Sequence, residues 1–304
     1  MKKLFKGLMA LAMMVSLVGC GNNEPKDALA RIKEQGYITF GTSPDYAPNE
    51  FYMQDPATGE RKIVGSDIAL AKAVAEKIGV DLVIQESDFN TVILNAQTGV
   101  VDFALAGFAW TAQRAEVVAF SDDYARSAGD EAWQGLMVRK EDVAKYPTKE
   151  SFRASGAKIG AQAASIQYEM AKTIADEANI VQLADTTNVA AQLSTKDIDA
   201  FVCTSTQAFA LMETYTNITI LPMATFNMDP DNFFNRTGAI FSLDPEYESL
   251  IEVVNEVIAE AKVVDANTGK SMLDVWYEEA TDLMPFDITE IYLQELANQQ
   301  GDAE

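Results

Sequence analysis

No histidine occurs anywhere in the 304 residues. Imidazole general-base catalysis and imidazole metal ligation are therefore closed to this chain, and no other cluster of metal-ligating residues offers a substitute. Cysteine is nearly as scarce, with only Cys20 and Cys203. Basic residues number 23 against 46 acidic ones, a formal charge of −23. A chain so poor in Lys and Arg lacks the basic face that phosphates require, which argues against nucleic-acid binding. The acids are spread along the chain rather than gathered in a tail, as a soluble surface would have them. The apolar run Leu8–Val18 is too short to span a bilayer as a stable helix. What is present is 48% hydrophobic residues, enough to bury the core of one large or two medium domains.

The first twenty residues read as a targeting segment rather than fold. Lys2, Lys3 and Lys6 precede the apolar run, which ends in LVGC. A small-residue ending just before a cysteine resembles the lipoprotein signal of bacteria. In that class residues 1–19 are removed and the thiol of Cys20 is lipidated with palmitate-type chains. The loss of three lysines would leave 20 basic against 46 acidic residues, a net of −26, with Cys203 as the one other cysteine and no intrachain disulfide. Residues 20–35 would form a tether and lead-in helix. The expected location is extracytoplasmic, anchored by lipid to the bacterial cell membrane.

From residue 28 the chain alternates helix and strand. A short helix, 28–35, closes at Gly36, and YITFGT, 37–42, is a strand. Residues 43–51 form a loop with two prolines, and 53–62 a surface turn. Ser66 is placed to cap a helix to Ile78, stopped by Gly79. Strand 80–84, helix 90–98 and strand 101–106 complete a β-α-β-α-β unit. A second series follows: strand 158–161, a helix capped by Ser165, strand 180–183, helix 186–196, strand 199–203, helix 205–215 and strand 218–221. A strand at 238–243, a long helix at 246–262 and a last helix opening at Ser271 must pack on one of the units. Ligands of open α/β sheets sit beyond the carboxyl ends of strands. Four loops qualify, 43–46, 107–111, 162–165 and 204–207, two from each unit. A hinged cleft between two units is the expectation.

The stretch VDFALAGFAWTAQR, 101–114, reads as strand, turn and helix N-terminus, with Arg114 one turn in. Free N–H groups, the positive end of the helix dipole and a guanidinium that grips through two parallel bonds make a plausible carboxylate site. A solvated helix charge is the alternative reading of Arg114.

The segments FGTSPDYAPNEFY, GSDIALAKAVAEKIG, ESDFNTVILNAQTGVVDFALAGFAWTAQRAEVVAFSDDY and KDIDAFVCTS, taken together and in order, resemble the polar amino-acid binding proteins of ABC importers, the family 3 extracellular solute-binding proteins. The likeness runs from about residue 36 to 280. It implies an α/β fold of the type II periplasmic-binding-protein kind, two lobes joined by two hinge strands with the ligand cleft between them. Lobe 1 would be 36–134 plus 232–304, and lobe 2 would be 137–229. Position by position, the resemblance makes Arg114 the partner of a ligand α-carboxylate and Ala109 a backbone N–H donor to it. Gly107 supplies a carbonyl to the ligand ammonium. Tyr46 and Phe89 sandwich the ligand side chain, Ser165 clamps the carboxylate from lobe 2, and Gln162 and Cys203 lie near the side chain.

Two positions depart from the family pattern. Ser43 and Thr204 stand where aspartates are usual, and the second of these is the ammonium's main counter-charge. Asp45, Glu50 and Glu131 are the acids that could replace it. Glu50 follows Asn49, which replaces an aromatic, so a remodelled loop could present Glu50; a rim position is its alternative. Trp110 and Trp133 are candidates for the cleft or the core; facing the cleft, either would favour an aromatic or large apolar amino acid, or a cationic one through cation–π contacts, although the resemblance implies that lysine and arginine binders keep the two acids absent here.

The expected function is therefore capture of an amino acid or related small carboxylate and delivery to the permease subunits of an ABC importer, by a monomer needing no cofactor. A dehydratase-like enzyme on the same scaffold and a ligand-presenting sensory protein are the alternatives.

Overall fold

The computed structural model describes residues 27–55, 57–125 and 133–284. The leader, Cys20 and Glu131 lie outside the described residues. Seven strands come first: β1 Tyr37–Thr42, β2 Asp45–Tyr46, β3 Glu50–Gln54, β4 Arg61–Val64, β5 Asp81–Glu86, β6 Phe103–Ala104 and β7 Ala119–Phe120. Five more follow: β8 Gln134–Arg139, β9 Ile159–Gln162, β10 Ile180–Leu183, β11 Ala200–Thr204 and β12 Ile218–Ile220. Then comes β13, Ile240–Phe241.

These strands form two five-stranded sheets. The first has the order β5-β1-β6-β13-β7 and the second β10-β9-β11-β8-β12. In the first, β1 is parallel to β5 and β6, while β13 runs antiparallel to β6 and β7. In the second, β9 is parallel to β10 and β11, and β8 is antiparallel to β11 and β12. The chain leaves the first sheet after β7, builds the second, and returns to insert β13 between β6 and β7. Two crossings thus join two α/β lobes. The apolar runs of β8 and β11 are buried almost throughout, as sheets covered on both faces demand.

The returning tail packs on the first lobe. Helices Ser66–Ile78 and Glu248–Ala261 share a core with Phe40, Phe103 and Phe241, and Leu273 of the last helix joins them. Phe103 lies 5.1 Å from Phe40 and 6.3 Å from Phe241, ring to ring. The lead-in helix Ala28–Gln35 is part of the same core through Ala28 and Ile32, both fully buried. Trp133 and Gln134, at the expected end of lobe 1, lie with the second lobe: Gln134 pairs with Thr204, and Trp133 packs among Met137 and Phe201.

Several expectations are corrected. The assigned strand at 101–106 is reduced to Phe103–Ala104, although Leu105 N–H still donates to the Gly41 carbonyl and the Thr39 carbonyl still accepts from the N–H of Asp102. The Asp102 carboxylate accepts from Thr39 N–H at 2.7 Å, Thr39 Oγ1 at 2.6 Å and Arg31 at 2.8 Å. Residues 43–64 are not loop and turn but a small antiparallel sheet, β2-β3-β4. Ser66 is not the cap of its helix. Gly65 holds that position at φ 137°, where a Cβ would stand 2.0 Å from the Asn49 carbonyl, and Ser66 Oγ bonds Asn49 Oδ1 instead. The helix Lys149–Ser155, with a Thr148 capping box, has no counterpart in the expected order.

Candidate functional site

The four loops expected to meet do so. Three of them carry a short polar side chain at a helix start, and the fourth, 43–46, runs into β2. Thr111 Oγ1 accepts from Arg114 N–H at 3.1 Å, Ser165 Oγ from Tyr168 N–H at 3.2 Å, and Thr204 Oγ1 from Gln207 N–H at 3.3 Å. Between them lies a cavity of ≈ 100 Å³ open to water, lined by residues of both lobes including Asp45, Tyr46, Glu50, Gly107, Ala109 and Arg114. One water needs about 10–15 Å³ on this measure. The space suits a guest of single amino-acid size, and a wider opening of ≈ 1110 Å³ adjoins it at Tyr46, Gly107 and Gln134.

Arg114 spans the cleft. One guanidinium nitrogen donates to the Ala109 carbonyl at 2.7 Å in its own lobe, and the other to the Ala164 carbonyl at 2.8 Å in the second. The group sits 5.5 Å from the centre of the Phe89 ring. Burial without a carboxylate partner pushes its pKa down to about 10, so it remains charged at neutral pH. Phe89, 8% exposed, is braced by Phe108 at 5.0 Å.

Gly107 has φ +57°, and a Cβ there would stand 2.7 Å from Tyr46 Cε1. The glycine therefore lets the turn approach the tyrosine ring. Gly107→Ala should displace that ring and strain the backbone by about 1–3 kcal/mol. Affinity for the ligand should fall at least tenfold by calorimetry; an unaltered value would show that the contact does not shape the cavity.

The acids are distributed unexpectedly. Asp45 bridges the lobes: its carboxylate accepts from Gln162 Nε2 at 2.9 Å, Thr186 N–H at 2.8 Å and Thr186 Oγ1 at 3.1 Å. Ser43, 2% exposed, donates to the other Asp45 oxygen at 3.0 Å. Burial raises the Asp45 pKa, and the Thr186 and Ser43 donors pull it part of the way back. Glu50 is not at the rim. It is fully buried, lines the cavity, and among the described residues no donor reaches either carboxyl oxygen, while the Asp67 carboxyl lies beside it as the group a protonated Glu50 would donate to. Burial, then the neighbouring Asp67 and Asp45, hold its carboxyl well above the usual range.

The other expected residues fall on both sides of the line. Ser165 donates to the Gln162 carbonyl at 2.7 Å, so its hydroxyl is committed to its own loop. Thr204 borders a wider opening beside the cavity, next to Tyr46, rather than the cavity itself. Cys203 is fully buried in the core of the second lobe, where burial raises its thiol pKa. Trp110 is neither core nor cavity: it is 38% exposed, with Arg236 5.2 Å from its ring. Trp133 is 7% exposed and borders only the wider opening. Neither tryptophan lines the cavity, so the basis for an aromatic guest drawn from them is withdrawn.

Two residues at the site were not singled out from sequence. Asp67, 2% exposed, accepts from Tyr124 Oη at 2.8 Å and Gly107 N–H at 3.2 Å. The signal was there: it shares the helical stripe of Ala71, Val74 and Ala75, all buried, where an acid needs partners. Thr186 is the first residue of its helix, one past the Asp185 cap, whereas Ser165 and Thr204 are caps themselves.

Residues 38–263 match the family model of bacterial extracellular solute-binding proteins, family 3. An arginine-binding extracellular protein of Bacillus subtilis is 32% identical over 177 residues, which span 58% of this chain and 62% of that protein. A probable histidine-binding protein of Campylobacter jejuni is 25% identical over 86% of this chain and 94% of its own length. Among solved structures, an amino-acid ABC transporter substrate-binding protein of Streptococcus pneumoniae bound to L-arginine superposes with a TM-score of 0.70. It is 29% identical, over 83% of this chain and 98% of that one. With the family model covering most of the chain and a two-lobed cleft in place, this protein belongs to the bacterial extracellular solute-binding proteins of family 3.

Proposed function

We propose that the cavity takes a basic α-amino acid, of the arginine class, for delivery to an ABC permease. Arg114 receives its α-carboxylate, and Glu50 supplies the negative charge for its positive end. The observation that carries this reading is the charge set around the cavity. Asp45 and Glu50 line it together with the guanidinium of Arg114, Asp67 borders the adjoining opening, and buried Glu50 accepts from no donor among the described residues. Ionising Glu50 without a counter-charge would be costly, so a cationic guest supplies the partner that its charged form lacks. The absence of aspartates at Ser43 and Thr204 is then offset by an acid reaching the cavity from β3. Relatives that bind arginine and histidine support the same class.

Closure follows from the same geometry. The first lobe offers Arg114, Phe89 and Tyr46; the second, which begins at Trp133, adds the loop ends of β9 and β11. A ligand touching both favours the shut state by the difference in its affinity for the two. The chain acts as a monomer that binds and releases. A carboxyl group with a raised pKa in a cavity is also what a general acid looks like, so the dehydratase reading has one observation in its favour. Recovery of the bound amino acid chemically unchanged after prolonged incubation separates the two. The leader ending at Cys20 supports a lipid-anchored, extracytoplasmic protein; among the described residues no helix is long and apolar enough to cross a membrane.

A thermal-shift screen of the twenty amino acids tests the ligand class. At a thousandfold excess over Kd, a bound ligand adds about 4 kcal/mol, equivalent to roughly 8–16 °C for a protein of this size. L-Arginine or another basic amino acid should give the largest shift. A larger shift from an acidic or purely apolar amino acid would overturn the assignment of Glu50.

A further inference from the structure

Four groups beside the cavity can carry charge, and they are not equally provided for. Asp67 has two donors, Tyr124 Oη and Gly107 N–H. Asp45 has Gln162, Thr186 and Ser43. Arg114 is held by two carbonyls. Glu50 is fully buried and accepts from no donor among the described residues; its polar neighbour is Asp67, onto which a protonated Glu50 would donate.

Its surroundings explain what that means. Asp67 faces it from helix Ser66–Ile78, and Asp45 and Tyr46 from β2. Tyr124 approaches from the crossing segment, Tyr277 of the last helix lies behind Tyr46, and Arg114 shares the cavity. The charges acting most strongly on Glu50 are thus both negative. Of three crowded carboxyl groups, the one without donors is the one that keeps a proton.

We propose that Glu50 is a proton-exchanging residue: its carboxyl carries a proton until the positive group of the guest takes that proton's place. This rests on the functional reading above and adds its regulation. The balance is simple. A neutral carboxyl and a cation enter the exchange; a carboxylate–cation pair remains, and one proton leaves to solvent. Burial and Asp67 hold Glu50 above its ordinary range without the guest, and the guest's charge brings it back down. Affinity therefore rises with pH, by up to tenfold per unit, until Glu50 is already ionised in the unliganded protein.

The test is calorimetry of the whole mature chain with L-arginine, across pH 5 to 9, in buffer pairs that differ in ionisation enthalpy. The wild type should release about one proton per L-arginine on the acid side, and Glu50→Gln none, with flat pH dependence and tenfold or more weaker binding at the alkaline end. Binding without proton release by the wild type, or release persisting in Glu50→Gln, would overturn the inference and leave the function standing. No binding of any amino acid would remove both. Stability provides a second reading that needs no ligand. A carboxyl whose pKa is raised by folding loses stability as pH rises above its unfolded value of about 4.3. Glu50→Gln should therefore melt higher than the wild type at pH 8, with the difference vanishing near pH 4. Equal melting at both would count against a proton on Glu50.

Discussion

Arg114→Ala should raise the Kd for L-arginine at least a hundredfold while leaving the circular dichroism of the protein intact. Removing one partner of a desolvated charge pair costs about 2–5 kcal/mol, and each 1.4 kcal/mol is a factor of about ten. The loss is compounded here because the guanidinium also reaches the Ala164 carbonyl of the other lobe at 2.8 Å. The same side chain thus holds the guest and registers that the lobes have met. Arg114→Lys keeps the charge but not the planar fork that serves two partners at once, so it should recover only part of the affinity. Calorimetry on the three proteins decides the matter. A Kd unchanged in the alanine variant would mean that the carboxylate is held elsewhere.

Asp45→Ala should weaken binding by roughly ten- to a hundredfold without touching the guest's carboxylate site. Hydrogen bonds to a charged group contribute about 1.5–3 kcal/mol each. Asp45 accepts two from backbone and side chain of Thr186 and a third from Gln162, all across the cleft. What is lost is stabilisation of the shut state, and the apparent affinity falls with the fraction of molecules able to shut. Small-angle scattering distinguishes this from a damaged pocket. The variant should reach the same compact radius at saturation but need far more ligand to get there. A variant that is compact yet binds weakly would place Asp45 on the guest instead of on the closure.

Much of this was legible in the chain. Helix stops at Gly36 and Gly79, the caps at Thr111 and Ser165, and the convergence of four loops follow from local chemistry, and the structure has them. The family suggested by the motifs is the one matched. What sequence hid were places where a distant partner overrides a local preference. Asp102 looks like one polar residue in a strand, yet its carboxylate is committed to Thr39 and Arg31, 63 and 71 residues away. Glu50 reads as a loop acid because the loop is polar; only the pairing of β3 with β2 and β4 turns it inward. Trp110 reads as core because tryptophan is large and apolar, whereas Arg236 supplies a surface partner from 126 residues on. Those are tertiary facts, and spacing cannot carry them.

The lead-in helix has a mechanical meaning. Ala28 and Ile32 are sunk in the first core, and Arg31 is pinned to Asp102, itself 2% exposed. Any pull on the amino terminus is therefore borne by the half of the molecule that holds Arg114, while the other half, joined to it by the crossings and by the bonds of Arg114 and Asp45 across the cleft, is the one that swings once those bonds open. For a protein leashed at Cys20, the leash would grip the stator, and each capture would register as a movement of the far half against a fixed base.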